Sequence, residues 1–352
     1  MRPILLKVRY MKKIYVLIAL MSVCLGAVAQ DERDLFRLEA EVRIDYAQDY
    51  IAGNKTDDAS GFKGRYLNVR MDGQIAKGLT YSWRQRLNKP ALSSSFFDAT
   101  DWATVNYKIN RWDFSAGRQV VGIGGFEYDK APIDCYFNSE YWNNIACYQF
   151  GVSASYAVGK KGDYLMFQFC ESPFRRNALN AKNEELFAYN LMWIGSHDFF
   201  SSLYSLNMIE YLPGRYINYI VLGNRFCIGD FVLELDVMNR AVKADELFGK
   251  NISVMADLVW SPMESLNVFA KLTYDFNHSE NIGDLCVLPG TDILRFGGGV
   301  EYFPLKSNRN LRLHLDCCYT DGKAAVAGVL RPDQTLVEAG VTWRMKLLDL
   351  KR

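Results

Sequence analysis

The stretch "FRLEAEVRIDY", residues 36–46, decides the fold. Leu38, Ala40, Val42, Ile44 and Tyr46 alternate with Arg37, Glu39, Glu41, Arg43 and Asp45. Successive side chains of a strand point to opposite faces. One face of this strand is therefore wholly apolar, and the other is charged at every position, with both signs. Apolar residues in unbroken alternation need an apolar surrounding, and a mixed row of ions needs water or paired partners. A strand between lipid and an aqueous lumen meets both conditions at once.

The same period of two recurs along nearly the whole chain. In "FVLELDVMNR" (231–240), Phe231, Leu233, Leu235 and Val237 oppose Glu234, Asp236 and Met238. In "LNVFAKLTYD" (266–275) and "RNLRLHLDCCY" (309–319), Leu272 opposes Lys271 and Leu313 opposes Arg312. About sixteen such segments are predicted: 36–46, 65–75, 79–88, 101–110, 111–121, 145–156, 163–170, 186–195, 200–210, 216–227, 230–240, 251–261, 265–275, 292–303, 309–319 and 335–346. Alternation is weakest at 163–170, 186–195 and 200–210. Beyond residue 35 no stretch carries a helical period.

Connections alternate between long and short. Long ones cover 47–64, 89–100, 122–144, 171–185, 241–250, 276–291 and 320–334. Short turns such as "IAKG" (75–78), "NR" (110–111) and "IGD" (228–230) lie between them, and "LPGR" (212–215) is short where a long one is due. Transmembrane barrels keep this rhythm, with short periplasmic turns and long external loops. Ten residues at about 3.3 Å rise, tilted by about 45°, span roughly 23 Å, close to the apolar band of such barrels. The expected fold is an all-β, antiparallel up-and-down barrel of about sixteen strands. A barrel of that size leaves an aqueous channel.

Composition agrees. Tyr, Phe and Trp number 21, 21 and 7. Tyr46, Trp102, Trp112, Tyr156, Trp193, Tyr211, Trp260, Tyr274, Tyr302, Tyr319 and Trp343 fall at strand ends, where aromatic girdles sit. At the start, Lys12 and Lys13 precede the apolar run "IYVLIALMSV" (14–23) and then Ala27-Val28-Ala29. That order reads as a secretory signal. Residues 1–29 are thus expected to be an extension plus signal peptide, and 30–352 an outer-membrane barrel. The first 29 residues hold five basic residues and no acid, so the remainder carries 36 Lys and Arg against 40 Asp and Glu. That balance excludes a nucleic-acid partner of the basic-patch kind. The seven cysteines beyond Cys24 include no C-x-x-C pair and read mostly as small apolar fillers, with a loop disulfide left open.

No chemistry-bearing cluster stands out. His197, His278 and His314 are the only histidines, and no Ser-His-Asp or metal-ligand spacing is present. Neither an enzyme nor a cofactor is expected. Parity instead assigns inward-facing, pore-lining charges: Arg37, Glu39, Glu41, Arg43, Arg70, Arg84, Arg86, Lys108, Asp236, Lys271, Arg295 and Arg312. The insertion "GIGGFEYDKAPIDCYFNSEYWNN" (122–144) is expected to fold inward as a constriction loop. Gly124 and Gly125 would allow the turn, and Glu127, Asp129, Lys130 and Asp134 would set the field.

The runs "FSAGRQVVGIGGFEYDKAP" (114–132), "LELDVMNRAV" (233–242) and "VEAGVTWRM" (337–345) resemble the phosphate-selective porin O/P family of outer-membrane proteins. The resemblance implies a sixteen-stranded, trimeric barrel that passes small solutes by diffusion. It implies lumen Lys and Arg that bind phosphate, with Arg70, Arg84, Arg86 and Lys271 as the nearest positions. Loop 122–144 departs from that pattern, with four acids and one lysine. The expected function is a Gram-negative outer-membrane porin whose partners are membrane lipid and small polar solutes or ions. A closed or plugged barrel with an adhesive or structural role is the alternative, followed by a barrel enzyme.

Overall fold

The structure, a computed structural model, describes residues 34–89, 96–159, 162–305, 308–323 and 333–351. The expected signal segment lies outside the described residues. Sixteen long strands follow in order. They are β1 (Asp34–Ile51), β2 (Gly61–Ala76), β3 (Leu79–Arg86), β4 (Thr100–Ile109), β5 (Trp112–Val120), β6 (Tyr148–Val158), β7 (Asp163–Glu171) and β8 (Phe187–Ser196). Then come β9 (Phe200–Leu212), β10 (Arg215–Ile228), β11 (Phe231–Ala241), β12 (Asn251–Met263), β13 (Leu266–Asn277), β14 (Asp292–Tyr302), β15 (Leu311–Lys323) and β16 (Gln334–Lys351). A two-residue strand, Asn54–Lys55, only prolongs the first hairpin.

Each strand pairs antiparallel with the next, and β1 closes the ring by pairing with both β2 and β16. Val42, for example, lies between Leu67 and Trp343. Closure leaves no free edge, so every strand has two hydrogen-bonded neighbours. Among the described residues no helix is long and apolar enough to cross a membrane. The barrel crosses with strands, as a chain must when lipid can satisfy no backbone group.

Exposure is inverted relative to a soluble protein. Along β1, Arg43 and Asp45 are 2% and 0% exposed, whereas Ile44 and Tyr46 are 45% and 40% exposed. Leu206, Phe167, Val152 and Leu315 are likewise exposed on the outer wall. In water so large an apolar surface would drive aggregation; against acyl chains it is solvated. Trp112 and Tyr156 pack at 4.9 Å, and Phe231 stacks on Trp260 at 5.9 Å, both at the short-turn end. Two expected girdle residues belong elsewhere. Trp102 points inward and donates to Ser82 Oγ at 2.7 Å, and Tyr211 is buried in an interior cluster. Residue type at a strand end does not specify the face, and these two fall on the inward parity.

The interior is not uniformly polar. At the long-loop end, Ile209, Tyr211, Ile217, Tyr219, Val221 and Met238 of β9–β11 point inward. Loop residues Tyr141, Ile145, Phe174, Cys286 and Val287 cover them to form one dry cluster. The row of charges read on residues 36–46 is therefore not repeated on this wall. The physical reason is that loops 121–147, 172–186 and 278–291 fold inward and supply apolar partners. All seven cysteines of the described residues are free thiols.

Candidate functional site: the lumen and its inserted loop

The site is built by the segment between β5 and β6. It leaves the barrel wall at Val121 and crosses the lumen to β9. There Gly124 N–H donates to Ser205 Oγ at 2.9 Å and Gly125 N–H to Leu203 O at 3.2 Å. Gly125 has φ +96°, and a Cβ on Gly124 would sit 2.7 Å from Leu203 O. Neither position tolerates a side chain without moving the loop. Gly223 of β10 completes the fit, because a Cβ there would lie 2.7 Å from Gly125 Cα.

Two helical turns, α1 (Phe126–Asp129) and α2 (Glu140–Asn144), then follow the far wall. The Glu127 N–H donates to Asp236 of β11 at 2.8 Å. Glu127 in turn pairs with Lys271 of β13 at 2.7 Å. Lys130 bridges Glu234 of β11, at 2.7 Å, and Asp257 of β12. Asp134 receives Arg312 of β15 at 3.0 Å and Arg344 of β16 at 2.7 Å. Arg43 of β1 donates to the Cys135 carbonyl, and Tyr136 donates to Glu301 of β14 at 2.6 Å. On the return, Ser139 caps α2 by accepting from Trp142 N–H, and Glu140 meets Arg295 of β14 at 2.6 Å. The Glu140 N–H donates to Asp275 at 2.8 Å. The loop is thus tied to six strands by groups of opposite charge.

These contacts shift the loop carboxylates. Burial by itself would raise Glu127, but Lys271 and the Ser139 donors outweigh it and hold the carboxyl below its ordinary 4.5. Asp134 is likewise buried, yet Arg312 and Arg344 hold it below 3.8. Burial pushes the Cys135 thiol up to about 11, so it is no reactive thiolate.

The expected inward charges divide into two groups. Arg43, Arg295, Arg312, Lys271 and Asp236 lie beneath the loop as its anchors, sealed from water. The rest lie along the remaining wall or towards the short-turn end. Arg70 pairs with Asp72 at 2.7 Å, Arg84 with Glu41 at 2.7 Å, and Arg86 with Asp101 at 2.7 Å. Glu39 stands opposite Arg70 and Lys346 in register, Arg37 opposite Asp72 and Asp349, and Lys108 opposite Asp113. Sequence parity finds these inward residues. It does not find Glu140, Glu301, Asp257 and Arg344 as anchors, since pairing across the lumen leaves no trace in local alternation.

Between the loop and β3–β8 a cavity of about 770 Å³ stays open. Arg84, Arg86, Asp101 and Trp102 line it on the barrel side, with Gln119 and Gln168 deeper in. Tyr128, Asp129, Trp142 and Ile145 line it on the loop side. Arg84 lies over the Trp102 ring at 5.0 Å and Arg86 over Tyr66 at 5.5 Å. Such stacking holds each guanidinium flat against its wall. Among the described residues no group of His, Cys, Asp and Glu is arranged to hold a metal ion. What remains is a cavity of mixed polar and apolar lining beside an ion-paired, partly apolar filling.

Known structures share this architecture. Folded-in-vitro OmpT, an outer membrane protein of Vibrio cholerae, superposes with a TM-score of 0.62 at 10% identity, covering 91% of this chain and 100% of that one. An anion-selective porin from Comamonas acidovorans gives 0.62 at 13% identity, covering 89% and 100%. A mutant of the Rh. blastica porin gives 0.54 at 13% identity, covering 88% and 100%. At such identities the likeness concerns the fold. No curated protein matches the chain in sequence. Residues 36–193, from β1 through most of β8, match the family described as phosphate-selective porin O and P.

Proposed function

We propose that the chain is an outer-membrane porin that passes small polar solutes by diffusion, with little preference between anions and cations. The long-loop end faces outward and the short turns face the periplasm. One observation carries the reading. The lumen loop binds the β9–β16 and β1 wall and leaves the β3–β8 wall uncovered, so a cavity lined by both charged and apolar side chains persists beside it. Permeation needs only a wetted path whose walls do not hold the solute too tightly. No catalytic step is involved.

Phosphate selectivity is the weaker reading. An anion ladder needs several guanidinium and ammonium groups with unspent charge, whereas Arg70, Arg84 and Lys271 each already hold a carboxylate and Arg86 is engaged at its Nε by Asp101. At the first three a phosphate would have to displace that partner, and Arg86 alone makes no ladder. The trimer implied by the family belongs to the proposal too, and crosslinking in native membranes tests it. A closed barrel is the second reading, favoured by the dry cluster at the long-loop end.

Reversal potential under a potassium chloride gradient, across a planar bilayer holding the purified chain, decides between these. A value near zero supports the proposal. A value close to that of an ideal anion channel, with block by added phosphate, would overturn it.

A further inference from the structure

The open path has two unlike walls, and the reading of the chain as a porin does not require this. On the barrel side Arg86 is 23% exposed. Only its Nε is engaged, by Asp101, so among the described residues its terminal nitrogens have no partner. On the loop side Asp129 is exposed and forms no salt bridge among the described residues, Arg225 being its nearby cation. A guanidinium edge and a carboxylate thus face one cavity from opposite sides.

Deeper in, the lining changes character. Met166 of β7 and Met192 of β8 are direct cross-strand partners on the inward face. Gly122 packs against Met166, where a Cβ would lie 2.6 Å from its Cε. Ile123 and Leu203 continue the same surface. Thioethers are flexible and polarisable, and they adapt to side groups of varied shape. A path meant only for water and inorganic ions gains nothing from two methionines on its wall.

We propose that this passage selects zwitterions bearing an apolar side group, namely apolar α-amino acids and short apolar peptides. Arg86 takes the carboxylate, Asp129 takes the ammonium, and Met166, Met192, Ile123 and Leu203 take the side chain. An inorganic anion finds the guanidinium but neither of the other two partners. Weak contacts of this kind raise flux because they favour entrance without trapping the solute. The inference rests on the porin reading and adds a solute class to it.

The test is swelling of liposomes that hold the purified full-length chain, in isosmotic arabinose, serine or leucine. In a plain water-filled path leucine, larger and less polar, enters more slowly than serine. Here leucine enters at least as fast. Replacing Met166→Gln and Met192→Gln lowers the leucine-to-serine ratio roughly fourfold, the weight of one buried methylene. Replacing Arg86→Gln lowers both amino acids relative to arabinose. If arabinose enters but leucine lags serine, or the methionine variant keeps the wild-type ratio, the inference is overturned and the porin reading stands. If arabinose does not enter, both fall together.

Discussion

At the scale of single residues, the lumen is a set of charge pairs rather than a row of free ions. Arg295 is fully buried and lies against Glu140 and Asp275. Removing one partner of a buried pair typically costs about 3–5 kcal/mol, because the other charge is stranded. Glu140→Ala is therefore expected to loosen the return limb of the loop. A lower midpoint in the heat-dependent gel mobility shift, with noisier single-channel current, would register it. Charge reversal at the open wall has a different outcome. Arg84→Glu with Arg86→Glu removes two positive charges beside Glu41 and Asp101, so ion preference is expected to move toward cations. An unchanged reversal potential in that double variant would show that these side chains do not face the permeating path. Alternation is clearest on β1–β3 and β11–β16, where charge opposes apolar side chains. It could not say which charges face water, because that depends on where a loop from elsewhere in the chain comes to rest.

At the scale of elements, the loop between β5 and β6 carries the design. Its docking is linked to pH through Glu127 and Asp134, whose pKa values are lowered by their cationic partners. A carboxyl lowered in the docked state stabilises docking fully above its free value, and that contribution is lost as pH falls below it. The window opens near the ordinary values of 4.5 and 3.8 and extends downward. Conductance is thus expected to be steady at neutral pH and to change in step size once the medium is taken well below pH 4. No change down to the acid limit of barrel stability would disconnect the loop from these carboxylates. Sterics give a second handle. Gly223→Val places a side chain where Gly125 Cα now lies, so the loop is expected to shift and the conductance step to grow. The strands nearest this crossing, β7–β9, showed the weakest alternation in sequence. Their inward residues Met166, Met192, Leu203 and Ile209 are as apolar as their outward ones, so a period of two has little contrast to reveal.

At the scale of the molecule, strand number, order and sidedness were legible because each is set locally. Strand length follows the apolar band, and the alternating loop lengths follow the two faces of a membrane. The short helical turns α1 and α2 and the dry interior cluster were not legible. Each is stabilised by partners from distant segments, as when Cys286 and Val287 of one loop cover Tyr141 of another. The result is a sixteen-stranded wall with its lumen divided. One part is filled by ion-paired and apolar packing, and the other is open along β3–β8.

That division is the central claim, and single-channel conductance tests it most directly. The full-length chain is compared in planar bilayers with a variant whose residues 122–144 are replaced by a short Gly-Ser linker. The account predicts discrete steps from both, with the larger step from the variant, because the docked loop narrows the lumen without sealing it. A folded full-length barrel that gives no steps, beside a variant that conducts, would contradict it and show that the loop is a plug.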